Sequence, residues 1–148
     1  MLEQHLTEDR VLFADPADWR EAVREAARPL VEDGSVEPRY VEKVLETIAA
    51  PGGTYMDLGF GITLAHSRPE EGVNRTALSL LLPERTLHLA DEESHPVNAV
   101  FVLAATGTQD HQQTMAELAR LLMDAGSRTA LLAVRSYPEL TRILQPAG

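Results

Sequence analysis

The stretches TALSLLL (residues 76–82) and VNAVFVLAA (residues 97–105) decide the architecture. Each is a nearly continuous apolar run of strand length. A strand with one wet face would carry a polar residue at every second position; these do not, so both of their faces must be covered by other elements. Two such strands predict the centre of a sheet with helices on each side, and the rest of the chain supplies those helices.

Upstream, Asp15-Pro16 supplies a helix start, an N-cap carboxylate followed by proline at the first helical position. Trp19, Ala22, Val23, Ala26, Ala27, Leu30 and Val31 then recur at i, i+3, i+4 and i+7, and Gly34 follows as a stop. A second helix opens after Glu37-Pro38, with Tyr40, Val41, Val44, Leu45 and Ile48 on one face, and Pro51-Gly52-Gly53 closes it. Thr54 to Leu58 and Ile62 to Leu64, separated by Gly59-Phe60-Gly61, read as short strands. Residues 1–14 are mixed and show no period. Downstream of Gly107 a helix is expected from near Asp110, carrying Met115, Leu118, Ala119 and Leu122 inward and stopping by Gly126. Leu131 to Val134 fits either a strand or a helical turn, and Ser136-x-x-Glu139 resembles a capping box opening a last helix through Leu144. The sum is an α/β fold with a mixed, mainly parallel sheet flanked by helices, in a single domain spanning 1–148.

The 23 acidic residues against 13 basic ones give a net charge of -10, and Lys43 is the chain's one lysine. Nucleic acid is therefore not an expected partner: phosphate backbones are repelled, and no stretch gathers arginine into a groove-sized patch. Cysteine is absent, which removes disulfides, thiolate metal ligands and thiol catalysis. No leader-like segment and no apolar run of membrane-spanning length occurs, so the expected location is the cytoplasm.

Chemistry concentrates on the histidines. Of the five, His66 follows the strand Ile62 to Leu64, and His111 lies near the start of a helix. Loops at strand ends are where sheets of this class hold reactive groups. His5 falls in the N-terminal stretch, where fraying is expected, and His88 and His95 lie in or beside an acidic loop, where solvated surface histidines are expected. A neutral imidazole nitrogen is a good nucleophile toward phosphorus near neutral pH, and Arg68 and Ser67 could stabilise an incoming dianion. On these residues alone, a plain turn histidine fits His66 equally well. A metal reading of His66, His111 and nearby acids lacks the short pairwise spacings of metal motifs.

The stretches Glu37-Pro38-Arg39-Tyr40, Gly61-Ile-Thr-Leu-Ala-His66, Arg68-Pro69-Glu70-Glu71-Gly72-Val73 and Asp110-His111-Gln112 together resemble the EIIA domain of the bacterial phosphoenolpyruvate-dependent sugar phosphotransferase system. The likeness is to the mannitol/fructose superfamily, ascorbate-type branch, and runs from the Trp19 helix to Leu144. It implies an EIIA component, a histidine phosphotransferase that takes a phosphoryl group from phospho-HPr and passes it to a cognate EIIB for ascorbate- or pentitol-like sugar uptake. The membrane is then reached only indirectly, through EIIC. The resemblance implies His66 as the acceptor and His111 as the histidine that hydrogen-bonds the phosphorylated site. No cofactor or metal is implied, and a homodimer is compatible with the sequence.

The sequence departs from that family at the site. Members commonly carry proline before the active histidine and a small residue after it, whereas Ala65 and Ser67 stand here. Mannitol-type members use an arginine upstream of the strand, where this chain has Ala49 and Ala50, which makes Arg68 the expected cation. Some relatives are regulatory phosphoproteins that bind a transcription factor or enzyme without feeding transport, and that reading is the alternative. Phe60, flanked by glycines, fits either the core or a docking patch on the rim of His66.

Overall fold

The computed structural model describes residues 2–144. In chain order the elements are α1 (Leu2–His5), β1 (Val11–Ala14), α2 (Trp19–Glu32), α3 (Pro38–Ala49), β2 (Asp57–Gly59), β3 (Ile62–Ala65), β4 (Ala77–Pro83), β5 (Leu87–His88), β6 (Pro96–Val97), β7 (Ala99–Ala104), α4 (Thr108–Met123), α5 (Ala125–Ala133) and α6 (Tyr137–Leu144). The five-stranded sheet runs β1-β4-β7-β3-β2, and β5 pairs with β6 separately. The two apolar runs became the central strand β7 and its neighbour β4, paired antiparallel from Ala77↔Ala104 to Leu81↔Val100.

Alternation along β7 divides the interior. Val100, Val102 and Ala104 face one core with Ala22, Ala26 and Leu30 of α2 and Tyr40, Val44 and Ile48 of α3. Ala99, Phe101 and Leu103 face a second with Leu118 and Leu122 of α4, Leu131 of α5, and Leu140 and Leu144 of α6. Full burial of such side chains contributes about 1.5–3 kcal/mol each. Small residues let α2 approach the sheet closely, and there Ser79 donates to the Ala26 carbonyl at 2.6 Å, satisfying its buried hydroxyl.

Several expectations are corrected. The α2 N-cap is Asp18, not Asp15: the Asp18 carboxylate accepts from the Glu21 N–H at 3.0 Å, while Asp15 pairs with Arg85 at 2.9 Å. The stretch Thr54 to Leu58 is largely a 3₁₀ turn over Gly53–Met56, leaving β2 only three residues long. Residues 2–14 contain an edge strand, β1, paired parallel with β4, and Leu2 and Leu6 ahead of it are buried. The helix α4 does stop by Gly126, ending at Met123, and a further helix follows at once: Gly126 lies in the first turn of α5, which Asp124 caps through the Ser127 N–H at 2.8 Å. The open segment Leu131 to Val134 is the end of that helix. At α6 the Glu139 carboxylate accepts from the Arg135 N–H at 2.7 Å, one residue before the position a capping box uses. The sheet is mixed as expected, with the parallel share reduced to half: β1·β4 and β3·β7 are parallel, β4·β7 and β2·β3 antiparallel.

Candidate functional site

The parallel pair β3·β7 assembles the site. Its register, Ile62↔Ala99 to Ala65↔Val102, makes both strands end at the same edge of the sheet. His66 leaves β3 there, and the chain leaving β7 turns at Gly107 into α4, whose first turn carries His111. Residues 45 positions apart in sequence thus meet, with ring centroids 5.8 Å apart. Neighbouring strand ends facing a helix N-terminus are the place where open α/β sheets hold ligands.

Hydrogen bonding fixes the His66 tautomer. Its Nδ1 lies 2.9 Å from the Leu64 carbonyl oxygen. A carbonyl can only accept, so Nδ1 carries the proton and the Nε2 lone pair is left free. The ring is half-buried, and Tyr55 meets it edge-on at 5.9 Å between centroids. Burial and the neighbouring His66 hold the His111 pKa below the ordinary imidazole value. His111 therefore favours the neutral form. Asp110 pins the start of α4 by accepting from the hydroxyls of Thr76 at 2.7 Å and Thr106 at 3.1 Å, and so sets where His111 stands.

The turn after His66 is tied to the first turn of α3 at several points. The Ser67 N–H donates to the Tyr40 hydroxyl at 2.8 Å, and that hydroxyl donates to the Leu103 carbonyl at 2.7 Å. Burial pushes the Tyr40 phenol up to about 12, against the opposing effect of the Ser67 N–H, so it remains a donor. Further along, the Glu37 N–H donates to the Gly72 carbonyl at 2.8 Å and the Arg39 guanidinium to the Glu70 carbonyl at 3.1 Å. Gly72 has φ +131°, and a Cβ there would lie 3.2 Å from that of Tyr40, so glycine is what lets the turn seat on the helix. Glu37-Pro38-Arg39-Tyr40 and Arg68 to Val73 are thus two sides of one contact.

His66, His111 and Arg68, the residues expected from sequence, all line one cleft of about 610 Å³. Lys43, Thr47, Tyr55 and Thr108 line it too and were not anticipated; a lone lysine in so acidic a chain was the available signal for Lys43. Tyr40 was read as a core residue, and nothing local in sequence shows that its hydroxyl grips a turn 27 residues away. His88 is exposed, as expected, but His95 is not a solvated surface residue: its Nδ1 lies 2.7 Å from Asp57 Oδ2 and its Nε2 3.3 Å from Glu92 Oε2. Phe60 is 65% exposed, with the Arg128 guanidinium 3.7 Å above its ring, so the core reading of this residue is set aside. Chemically, the cleft offers a nucleophilic nitrogen, a second imidazole and the N–H groups that open α4, a set suited to an anionic group.

The family described as phosphoenolpyruvate-dependent sugar phosphotransferase system, EIIA 2, matches residues 4–146. The ascorbate-specific PTS system EIIA component of Salmonella typhimurium (strain LT2) is 31% identical over 134 residues, covering 90% of this chain and 86% of that protein. The Escherichia coli (strain K12) protein of the same name is 30% identical over equal shares. Among solved structures, a PTS IIA protein (PtxA) of Streptococcus mutans superposes with a TM-score of 0.82 at 28% identity, over 93% of this chain and 88% of that one. The mannitol-specific cryptic enzyme IIA CmtB of Escherichia coli superposes with a TM-score of 0.86 at 24% identity, over 97% of both chains, a likeness of fold. With the family matched along nearly its whole length, this chain belongs to the EIIA 2 family of the phosphoenolpyruvate-dependent sugar phosphotransferase system.

Proposed function

We propose that His66 Nε2 is the phosphoryl acceptor of this EIIA component, that His111 and Arg68 bind the phosphoryl oxygens, and that the system it serves imports ascorbate or a related pentitol-like substrate. As a family member the chain takes a phosphoryl group from HPr and passes it to EIIB. The family also places it in the cytoplasm, and no helix among the described residues is long and apolar enough to cross a membrane. The ascorbate reading rests on the relatives at 30–31% identity, which are named as ascorbate-specific EIIA components; they favour transport over a purely regulatory role.

The observation that carries the assignment of His66 is the Nδ1 to Leu64 carbonyl bond of 2.9 Å, which presents Nε2 as a lone pair. In the forward step that lone pair attacks the phosphorus of the HPr phosphohistidine. The bond from phosphorus to the donor nitrogen breaks, its electron pair returns to the donor imidazole, and the new bond forms at Nε2. The carbonyl of Leu64 offsets the positive charge that then develops on the His66 ring, and the α4 N–H groups, His111 and Arg68 offset the phosphoryl charge. Passing the group to EIIB reverses these roles. Incubation with phosphoenolpyruvate, EI and HPr should add one acid-labile, base-stable phosphoryl group, and His66→Gln should abolish its uptake.

A further inference from the structure

We propose that Lys43 is a phosphoryl-binding residue of the same site, a second cation whose ammonium meets the oxygens of the group carried at His66. This rests on His66 as the acceptor. The first observation is electrostatic. Among the described residues Arg10 and Arg75 pair with Asp33, Arg24 with Glu42, Arg39 with Glu37 and Arg85 with Asp15, while Arg20, Arg28, Arg120, Arg128, Arg135 and Arg142 form no ion pair, so what sets an unpaired cation apart is where it stands. Lys43 and Arg68 form no ion pair among the described residues, and both line the cleft of His66 and His111. Glu71 lines the cleft as well, without ion-pairing to Lys43. Cations left unpaired beside a nucleophilic histidine concentrate positive potential where an anion must arrive.

The second observation is the geometry of α3. Tyr40, Lys43 and Thr47 stand at i, i+3 and i+7, one face of the helix. Tyr40 fixes that face against the catalytic turn through the Ser67 N–H, so the backbone of Lys43 is held at a set distance from His66. Thr47, whose hydroxyl donates to the Lys43 carbonyl at 2.9 Å, lines the cleft one turn further on. Lysine suits the task. Its flexible stem carries a compact charge that can follow the phosphoryl oxygens as the phosphorus moves from the donor nitrogen to Nε2.

The test compares wild type, Lys43→Met and Lys43→Arg in single-turnover transfer from phospho-HPr at varied HPr concentration. Inorganic phosphate is also titrated into each protein and followed through the imidazole shifts of His66 and His111. Lys43→Met should lower the saturated transfer rate by about 10-fold or more and weaken phosphate binding comparably, while Lys43→Arg recovers most of both and all three proteins melt alike. Wild-type rate and phosphate affinity in Lys43→Met would overturn the proposal. So would a change confined to the KM for HPr with phosphate affinity kept, which would make Lys43 a docking residue. If wild type itself takes up no phosphoryl group, the His66 assignment fails, and the phosphate titration alone decides for or against Lys43.

Discussion

At His66 a backbone carbonyl selects which ring nitrogen keeps a free lone pair, and at His111 the surroundings select the charge. Burial and His66 keep the His111 pKa low. A phosphoryl dianion placed on His66 adds negative charge beside His111, so the His111 pKa should rise on phosphorylation and the site should take up a proton. Titration of the His111 ring by NMR with and without phosphorylation measures this; an unchanged pKa would mean that the group sits out of its reach. His111→Ala should still accept a phosphoryl group but pass it to EIIB roughly 10–150-fold more slowly, as expected for loss of a charge-assisted contact worth about 1.5–3 kcal/mol. Unchanged onward transfer would leave His111 with only a packing role. The strand end and the helix start single out His66 and His111 in the sequence, with Arg68 beside them, while the roles proposed for them come from the family resemblance. Lys43 and Tyr40 were not, since what brings them to the site is the packing of α3 on a turn distant in sequence.

Between elements, the Tyr40 hydroxyl joins α3, the end of β7 and the turn after β3. Tyr40→Phe leaves the half-buried Ser67 N–H and the buried Leu103 carbonyl short of a partner, and should cost about 1–3 kcal/mol in chemical denaturation and slow transfer together. Native stability in that variant would show that water replaces the hydroxyl. The turn Gly59-Phe60-Gly61 has φ of +89°, +60° and +80°, a left-handed run that an exposed phenylalanine adopts at a cost. Phe60→Asn keeps a residue tolerant of that backbone while removing the ring. It should melt no lower than wild type yet weaken transfer from HPr if the ring is a docking anchor; full transfer activity would place docking elsewhere on the rim. Helices α2 and α3 and the strands β4 and β7 were readable because burial on one stripe or on both faces imprints itself locally. β1 was not: Leu12, Phe13 and Ala14 occupy an edge whose pairing with β4 is set by tertiary contact, and no alternation announces it. The α2 start was misplaced by three residues because Asp15-Pro16 and Asp18 are both sound caps by composition, and only the fold directs Asp15 to Arg85.

Across the whole molecule, two cores clamp the sheet and leave one edge for chemistry, and the same ionisable groups couple that edge to stability. The His111 pKa is depressed in the fold, so the folded protein binds fewer protons than the unfolded chain as pH falls below the ordinary imidazole value of about 6.5. Its contribution is complete above that pH and is lost on acidification toward the folded value. For Asp33 burial alone would raise the pKa, but the Ser35 and Arg10 hydrogen bonds outweigh it and the net shift is downward. Its contribution is present above the ordinary carboxylate value and is lost at lower pH, as the carboxylate protonates. Denaturation should therefore show two losses of stability on acidification, one below the ordinary imidazole value and one below the ordinary carboxylate value; His111→Gln should shrink only the first, to which His5, its pKa also lowered by burial, contributes as well. A single acid transition unaltered by that variant would contradict the linkage. The central claim is the identity of the acceptor, and the intact mass of the protein tests it most directly. After incubation with phosphoenolpyruvate, EI and HPr, wild type should gain one phosphoryl group and His66→Gln none; a phosphoryl group retained by His66→Gln, or none on a folded wild type, would contradict it.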